Sequence, residues 1–219
     1  MGVLYTISGL DNDTHELRLS GLSTSDAEVR FDCALSSLGS ESKIEPKKER
    51  VSVRCDDGSV QYSGSWEYAL QEGLAGTREY MKDSEVFKYM ASRTVGDSLS
   101  FTFLGSEIAV LAGGDPKSEA DTNIHLTIVI DDGPAAEYTF EDISRPLGTI
   151  YTSGSLPSRG EGKYADLHTI KVTITGTNPG QAFFFHRFAY VPSFTSLADI
   201  ANLDDVTPGE LDESGNSGK

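Results

Sequence analysis

Ile124-His125-Leu126-Thr127-Ile128-Val129-Ile130 runs into Asp131-Asp132-Gly133-Pro134 and continues as Ala136-Glu137-Tyr138-Thr139-Phe140. Ile124, Leu126, Ile128 and Ile130 fall at every second position, with His125 and Thr127 pointing the other way, which is the period of a half-buried strand. The Asp-Gly step supplies the positive φ that a tight reversal requires, so the stretch reads as strand, turn, strand. The same period holds upstream. Leu99, Phe101 and Phe103 alternate with Ser98, Ser100 and Thr102, and after Gly105-Ser106 come Ile108, Val110 and Ala112. Further strands are expected at Gln61 to Trp66, around Phe87 to Ala91, at Thr149 to Thr152, at Thr169 to Thr175 and at Ala182 to Val191. About eight strands with no long helix between them make an all-β protein, an antiparallel β-sandwich and most simply a jelly roll.

The beginning of the chain repeats its end. Leu4 to Leu10, Thr14 to Leu19 and Val29 to Leu35 recur, in the same order, as Ile150 to Leu156, Leu167 to Val172 and Phe183 to Ala189. Strand-like sequence precedes the second copy at length and barely precedes the first. Residues 1–35 therefore read as the last strands of one β domain, a partial second copy in tandem with a complete one. Residues 36–55 read as a polar linker, residues 56–192 as the complete domain, and residues 193–219 as an acidic tail, mostly disordered, with a short helix expected at Ser196 to Leu203. Within the domain, Glu67 to Ser84 and Pro157 to Lys163 read as long loops, the usual place for ligands on a sandwich.

The chain's 219 residues carry a net charge of −16. Such a surface repels phosphate backbones and anionic lipid, which argues against nucleic acid and against membrane surfaces as partners. No apolar run approaches a membrane span, so no membrane insertion is expected. The first residues lack the basic start and apolar stretch of a signal peptide. The basic cluster Lys43, Lys47, Lys48 and Arg50 alternates with Glu41, Glu45 and Glu49 and reads as a solvated linker. The two cysteines, Cys33 and Cys55, are placed to staple the fragment to the domain or to remain free thiols, and both readings stay open. Unpaired apolar strands in residues 1–35 invite self-association through those strands, or cover of an edge of their own domain.

The order Asp56-Asp57, Gln61 to Trp66, Val95 to Val110, Val129 to Gly133, Leu167 to Ile170 and Phe185 to Tyr190 resembles the galactose-binding-domain-like jelly rolls. The likeness is to the tandem domains of fungal secreted or cell-surface proteins, and more distantly to carbohydrate-binding modules. It covers residues 56–192 in full and residues 4–35 as the last third of a second copy. It implies a non-catalytic, lectin-like module that binds glycans, an extracellular or cell-surface setting, and a structural calcium ion, for which Asp56 and Asp57 open the domain at the place the family often uses. Asn12-Asp13-Thr14 is a glycosylation sequon compatible with that setting. On the closing strand the family usually has Asp where this chain has His186; the first copy keeps Asp32.

A sugar needs a flat aromatic face and a few polar groups for its hydroxyls. Trp66, Tyr62, Tyr68 and Tyr80 are the aromatic candidates near the long loop, with Arg78 and Glu79 beside them, although Trp66 also suits a packing role. Asp131 and Asp132 read as turn residues. His15 and His168, equivalent in the two copies, read as structural, His125 as a surface residue, and His186 as either buried and hydrogen-bonded or at a rim. No nucleophile elbow, zinc-protease or phosphate-loop motif is present, and no catalytic residue is assigned. The rival expectation is a structural or adhesive spacer with no small ligand, and what separates the two is an exposed aromatic platform with polar neighbours.

Overall fold

The computed structural model describes residues 43–45, 50–70, 88–114, 123–140, 148–162, 164–196 and 200. Among them are ten strands: β1 Val51–Arg54, β2 Gln61–Ser63, β3 Glu67–Leu70, β4 Lys88–Ser92, β5 Ser98–Gly114, β6 Ile124–Ile130, β7 Ala136–Phe140, β8 Gly148–Thr152, β9 Leu167–Gly176 and β10 Phe183–Pro192. Every pairing is antiparallel. The protein is an antiparallel β-sandwich. No helix among the described residues is long and apolar enough to cross a membrane.

Both layers are built on β5. Its first half pairs with β2 and β9, and β9 pairs with β6, which pairs with β7. Its second half pairs with β8 and β10. On its other side β10 meets two strands in succession, β4 along Phe183 to Phe185 and β1 along Arg187 to Tyr190. β3 lies beyond β4. His186 falls in the gap between β4 and β1, at a register shift of β10.

β5 is continuous through Gly105-Ser106 and switches sheets there. Leu104 is its last partner in one layer, opposite Leu167, and Gly105 its first in the other, opposite Pro192. The buried positions move with it, from Leu99, Phe101 and Phe103 to Ile108, Val110 and Ala112. A side chain at Gly105 would meet the Val191 carbonyl and the Tyr190 ring, so glycine permits the close crossing.

The aromatic residues of β5 and β10 fill the space between the layers. Phe188 stacks on Phe101 with centroids 5.3 Å apart and lies 4.7 Å from Phe185. Phe103 and Tyr190 pack at 5.5 Å. At one end Trp66 meets Phe183 edge-on at 6.2 Å and Tyr62 at 5.1 Å.

Three boundaries differ from those expected. Val51–Arg54 is a strand and Ile44 is in the core, so the segment 36–55 is not wholly a solvated linker. Ile44 donates its amide to the Thr195 carbonyl, and Lys43 bridges to Ser196, which brings Phe194 into the core beyond residue 192. Glu67–Leu70, expected as loop, is strand because β4 supplies its ladder. At the β6–β7 turn the positive φ belongs to Asp131, at 55°, and not to Gly133. Residues 1–35, Cys33, and all but Ile200 of the segment from residue 197 onward lie outside the described residues. Cys55 is a buried free thiol. Its proton is held by burial first and by the nearby Asp56 second, pushing its pKa up to about 11.

Candidate functional site

Tyr68 stands on the edge strand β3, opposite Met90, with half of its surface, 50%, in solvent. It is one of two large apolar side chains that are exposed among the described residues; the other, Val95, has no ring. Lys88, which opens β4, lies diagonally across from Tyr68 in the β3–β4 ladder, and its hydrogen bond to Asp56 raises its pKa. The Lys88 Nζ donates to Asp56 Oδ2 at 3.3 Å, and Arg54 forks onto the same carboxylate through Nε at 2.8 Å and Nη2 at 2.5 Å. Those two cations hold the Asp56 carboxyl below the usual carboxylate range, the Arg54 hydrogen bond first. A half-exposed ring thus has a diagonal neighbour, Lys88, that is itself tied to Asp56.

Trp66 is partly buried against the core, its Nε1 donating to the Ser63 carbonyl at 3.1 Å, so it packs and supports β3. Arg78 and Tyr80 lie outside the described residues.

Asp56 and Asp57, the expected calcium ligands, do not fit that ion. Calcium takes six or more oxygens, several of them anionic. The Asp56 oxygens are taken by Arg54 and Lys88, and Asp57 Oδ1 accepts from the amide and hydroxyl of Ser59, closing its own turn. Among the described residues no three His, Cys, Asp or Glu side chains come together as a metal site.

The histidines are structural or peripheral. His168 is 1% exposed and shares a 2.9 Å bond with Asp131 Oδ2. Asp131 Oδ1 accepts from the Thr169 amide at 2.9 Å and pairs with Arg159 at 3.0 Å. Asp131 therefore ties its turn to β9 and to the loop after β8, a role beyond turn geometry that sequence could not show. His125 is exposed on the outer side of β6 with Thr139 at 3.1 Å. His15 is outside the described residues.

His186 is buried at the seam between β1 and β4. Its Nδ1 donates to the Lys88 carbonyl at 3.1 Å, its carbonyl accepts from the Cys55 amide at 2.9 Å, and its ring lies 5.4 Å from Tyr89. Burial holds its pKa below the ordinary imidazole value; the Lys88 carbonyl opposes this, while Arg187 and Arg54 add to it. The folded chain therefore resists a proton that the unfolded chain accepts below about pH 6.5. The stability due to neutral His186 is complete above that pH and falls as the pH drops toward the lowered folded value. Urea midpoints measured at successive pH values from 7.5 down to 5 are expected to decline, and to decline less in His186→Gln. Parallel declines in both proteins would contradict this.

Asp97 had no role assigned from sequence. It is buried beneath Gly64, where its Oδ2 accepts from the Ser65 amide at 2.9 Å and the Ser92 hydroxyl at 2.5 Å. It fixes the turn that launches Trp66 and Tyr68.

No family model and no curated protein matches this sequence. Among solved structures it is similar to a family two carbohydrate esterase from Cellvibrio japonicus, with a TM-score of 0.45, 11% identity, and coverage of 67% of this chain and 35% of that one. The chain thus spans about a third of that esterase's length. It is also similar to the CBM36-1 domain of a multidomain xylanase from the hindgut metagenome of Trinervitermes trinervoides, with a TM-score of 0.41, 14% identity, and coverage of 64% and 95%. A third is a carbohydrate-binding module, CBM36, in complex with calcium and xylotriose, with a TM-score of 0.39, 12% identity, and coverage of 63% and 97%. Likeness of this degree is one of strand arrangement and decides nothing about a ligand.

Proposed function

We propose that this protein is a non-catalytic glycan-binding module whose binding surface is centred on Tyr68. The observation that carries the reading is the half-exposed Tyr68 ring on an edge strand, with Lys88, which pairs with Asp56, diagonally across the β3–β4 ladder. A sugar ring lays its apolar C–H face on an aromatic plane and directs its hydroxyls to planar donors and acceptors, and this surface supplies both kinds of group. The ring needs little reorganisation because β3 is held by the β4 ladder and by packed Trp66. Arg78 and Tyr80, in the segment joining β3 to β4, are proposed to complete the site.

A glycan array probed with the full chain tests this. Selective capture by one class of sugar is expected, with Tyr68→Ala weakening it about ten- to thirtyfold, roughly 1.5–2 kcal/mol. Unfolding stability should stay within about 0.5 kcal/mol, since the ring is half in solvent. Capture is expected to be the same in calcium and in EDTA, because Asp56 is committed to two side-chain cations. Silence across the array, or capture unaffected by Tyr68→Ala, would leave the structural or adhesive spacer as the better reading, one that the tandem sequence repeat also suits.

A further inference from the structure

We propose that His186 is the positioning residue of the binding surface, setting where Lys88 and Asp56 stand relative to Tyr68; this rests on the glycan-binding reading and adds a group that acts behind it. β4 and β1 lie end to end along the same side of β10, β4 opposite Phe183 to Phe185 and β1 opposite Arg187 to Tyr190. Each is tied by its ladder to β10, and His186 stands in the gap between them at the register shift. It holds both ends. Its carbonyl accepts from the Cys55 amide at 2.9 Å, and its Nδ1 donates to the Lys88 carbonyl at 3.1 Å. Cys55 Sγ donates to that same carbonyl at 3.2 Å, and the Cys55 carbonyl accepts from the Tyr62 hydroxyl at 2.7 Å.

Lys88 and Asp56 are carried by these held ends, Asp56 as the residue after Cys55. Their side chains meet at 3.3 Å, near the limit of a hydrogen bond, so a shift of about 0.5 Å in either end parts them. Lys88 is in turn the diagonal neighbour of Tyr68. The His186 ring is 5% exposed and packs 5.4 Å from Tyr89, which fixes its direction. Without it, the thiol remains of these two donors, and a thiol is a weak one. Because Nδ1 carries the donated proton, Nε2 is the basic nitrogen. A proton there leaves the Nδ1 bond in place and adds a charge. The groups around that charge are Arg54, Cys55 and Asp56 from β1 and its end, Lys88 and Tyr89 from β4, and Arg187 on its own strand; β5 presents Leu111 and Ala112, which carry none. Arg187 and Arg54 oppose the new charge, and the Asp56 carboxylate already answers Arg54 and Lys88. Acid therefore loosens the gap that Lys88 and Asp56 flank, and glycan capture falls as the pH drops from neutral toward the lowered His186 value. By linkage, a bound glycan makes His186 harder to protonate.

The test follows the Tyr68 and His186 ring signals of the isotope-labelled full chain from pH 7.5 to 5, with no sugar present, in the wild type and in His186→Gln. Tyr68 lies two strands from His186, across β4, so its ring reports movement of the surface and not the proton itself. A shift of the Tyr68 signals with the midpoint of the His186 ring, absent from His186→Gln, is expected. Tyr68 signals that stay fixed while His186 titrates, or that move alike in His186→Gln, would overturn the positioning role and leave the glycan reading intact. In parallel, the glycan array is read with the full chain at pH 7.5 and at pH 5. Wild-type capture is expected to weaken about fivefold or more at pH 5, and capture by His186→Gln by less than about twofold. At pH 7.5 His186→Ala is expected to lose about fivefold or more, and His186→Gln, which keeps a donor for the Lys88 carbonyl, to recover most of that loss. Equal pH dependence in the wild type and His186→Gln would overturn the proposal, and that comparison decides it even where the alanine variant does not fold. Silence of the array at both pH values would overturn the glycan reading and the pH-dependent capture with it, while the Tyr68 signals still decide whether His186 sets the surface.

Discussion

Phe188→Ala is expected to lower the unfolding free energy by about 3–5 kcal/mol. Phe188 is 0% exposed and lies between Phe101 of one layer and Phe185 of its own strand. The alanine would leave a void lined by rings that are themselves held by β5 and β10, the two strands with the most pairings, so the site cannot collapse inward. Denaturant unfolding with an unchanged slope and a lower midpoint checks it. A loss under about 1 kcal/mol would mean that the two layers are not packed through these rings.

Gly64→Ala is expected to cost about 2–4 kcal/mol, far more than an alanine at an ordinary turn. Gly64 has a φ of 104°, which a side chain rarely tolerates, and a Cβ there would overlap the Asp97 carboxylate. Asp97 would have to leave the Ser65 amide or the Ser92 hydroxyl, stranding a buried donor. Gly58→Ala is the control: nothing lies within 4 Å of its added Cβ, and its change should stay within about 0.5 kcal/mol. Because Gly64 launches the segment carrying Trp66 and Tyr68, the same variant should also weaken glycan capture. Equal stability losses at the two glycines would contradict the role given to Asp97.

These two positions show what sequence can and cannot carry. The core was legible because burial in a sandwich leaves a period of two: Leu99, Phe101 and Phe103, or Ile124, Leu126 and Ile128, announce their face directly. The change of layer within β5 was not: its inward positions pass from Leu99, Phe101 and Phe103 to Ile108, Val110 and Ala112, and the strand crosses from one sheet to the other over Gly105-Ser106. Short strands were missed where their stability is borrowed. Four residues from Glu67 to Leu70 show no period, and β4 makes them a strand. Ile44 sits alone among charges and is buried only because residues 194–196 come alongside it.

The site was half legible for a related reason. Tyr68 could be named because an aromatic residue in polar sequence has few places to go but the surface. Its neighbours could not, since Arg54, Asp56 and Lys88 meet across 32 residues between the last two. Asp56 was read as a calcium ligand from its place in the chain, and the cations that occupy it come from β1 and β4. Asp97 reaches Ser65 over a comparable separation, and Asp131 reaches His168 across 37 residues. Arg187 gave no signal in sequence: its buried Nε, without a hydrogen-bond partner among the described residues, shows only in the assembled sheet.

The central claim is that the Tyr68 edge is where a glycan binds. Chemical-shift mapping of the isotope-labelled full chain, titrated in turn with trigalacturonate and xylotriose, tests it most directly. Saturable shifts at Glu67 to Ala69, Lys88 and Arg54, with the packed Trp66 indole following and the outer face of β9 silent, are the predicted result. Shifts confined to Thr169, Lys171, Thr173 and Thr175 on that outer face, or no saturable shift with either sugar, would contradict it.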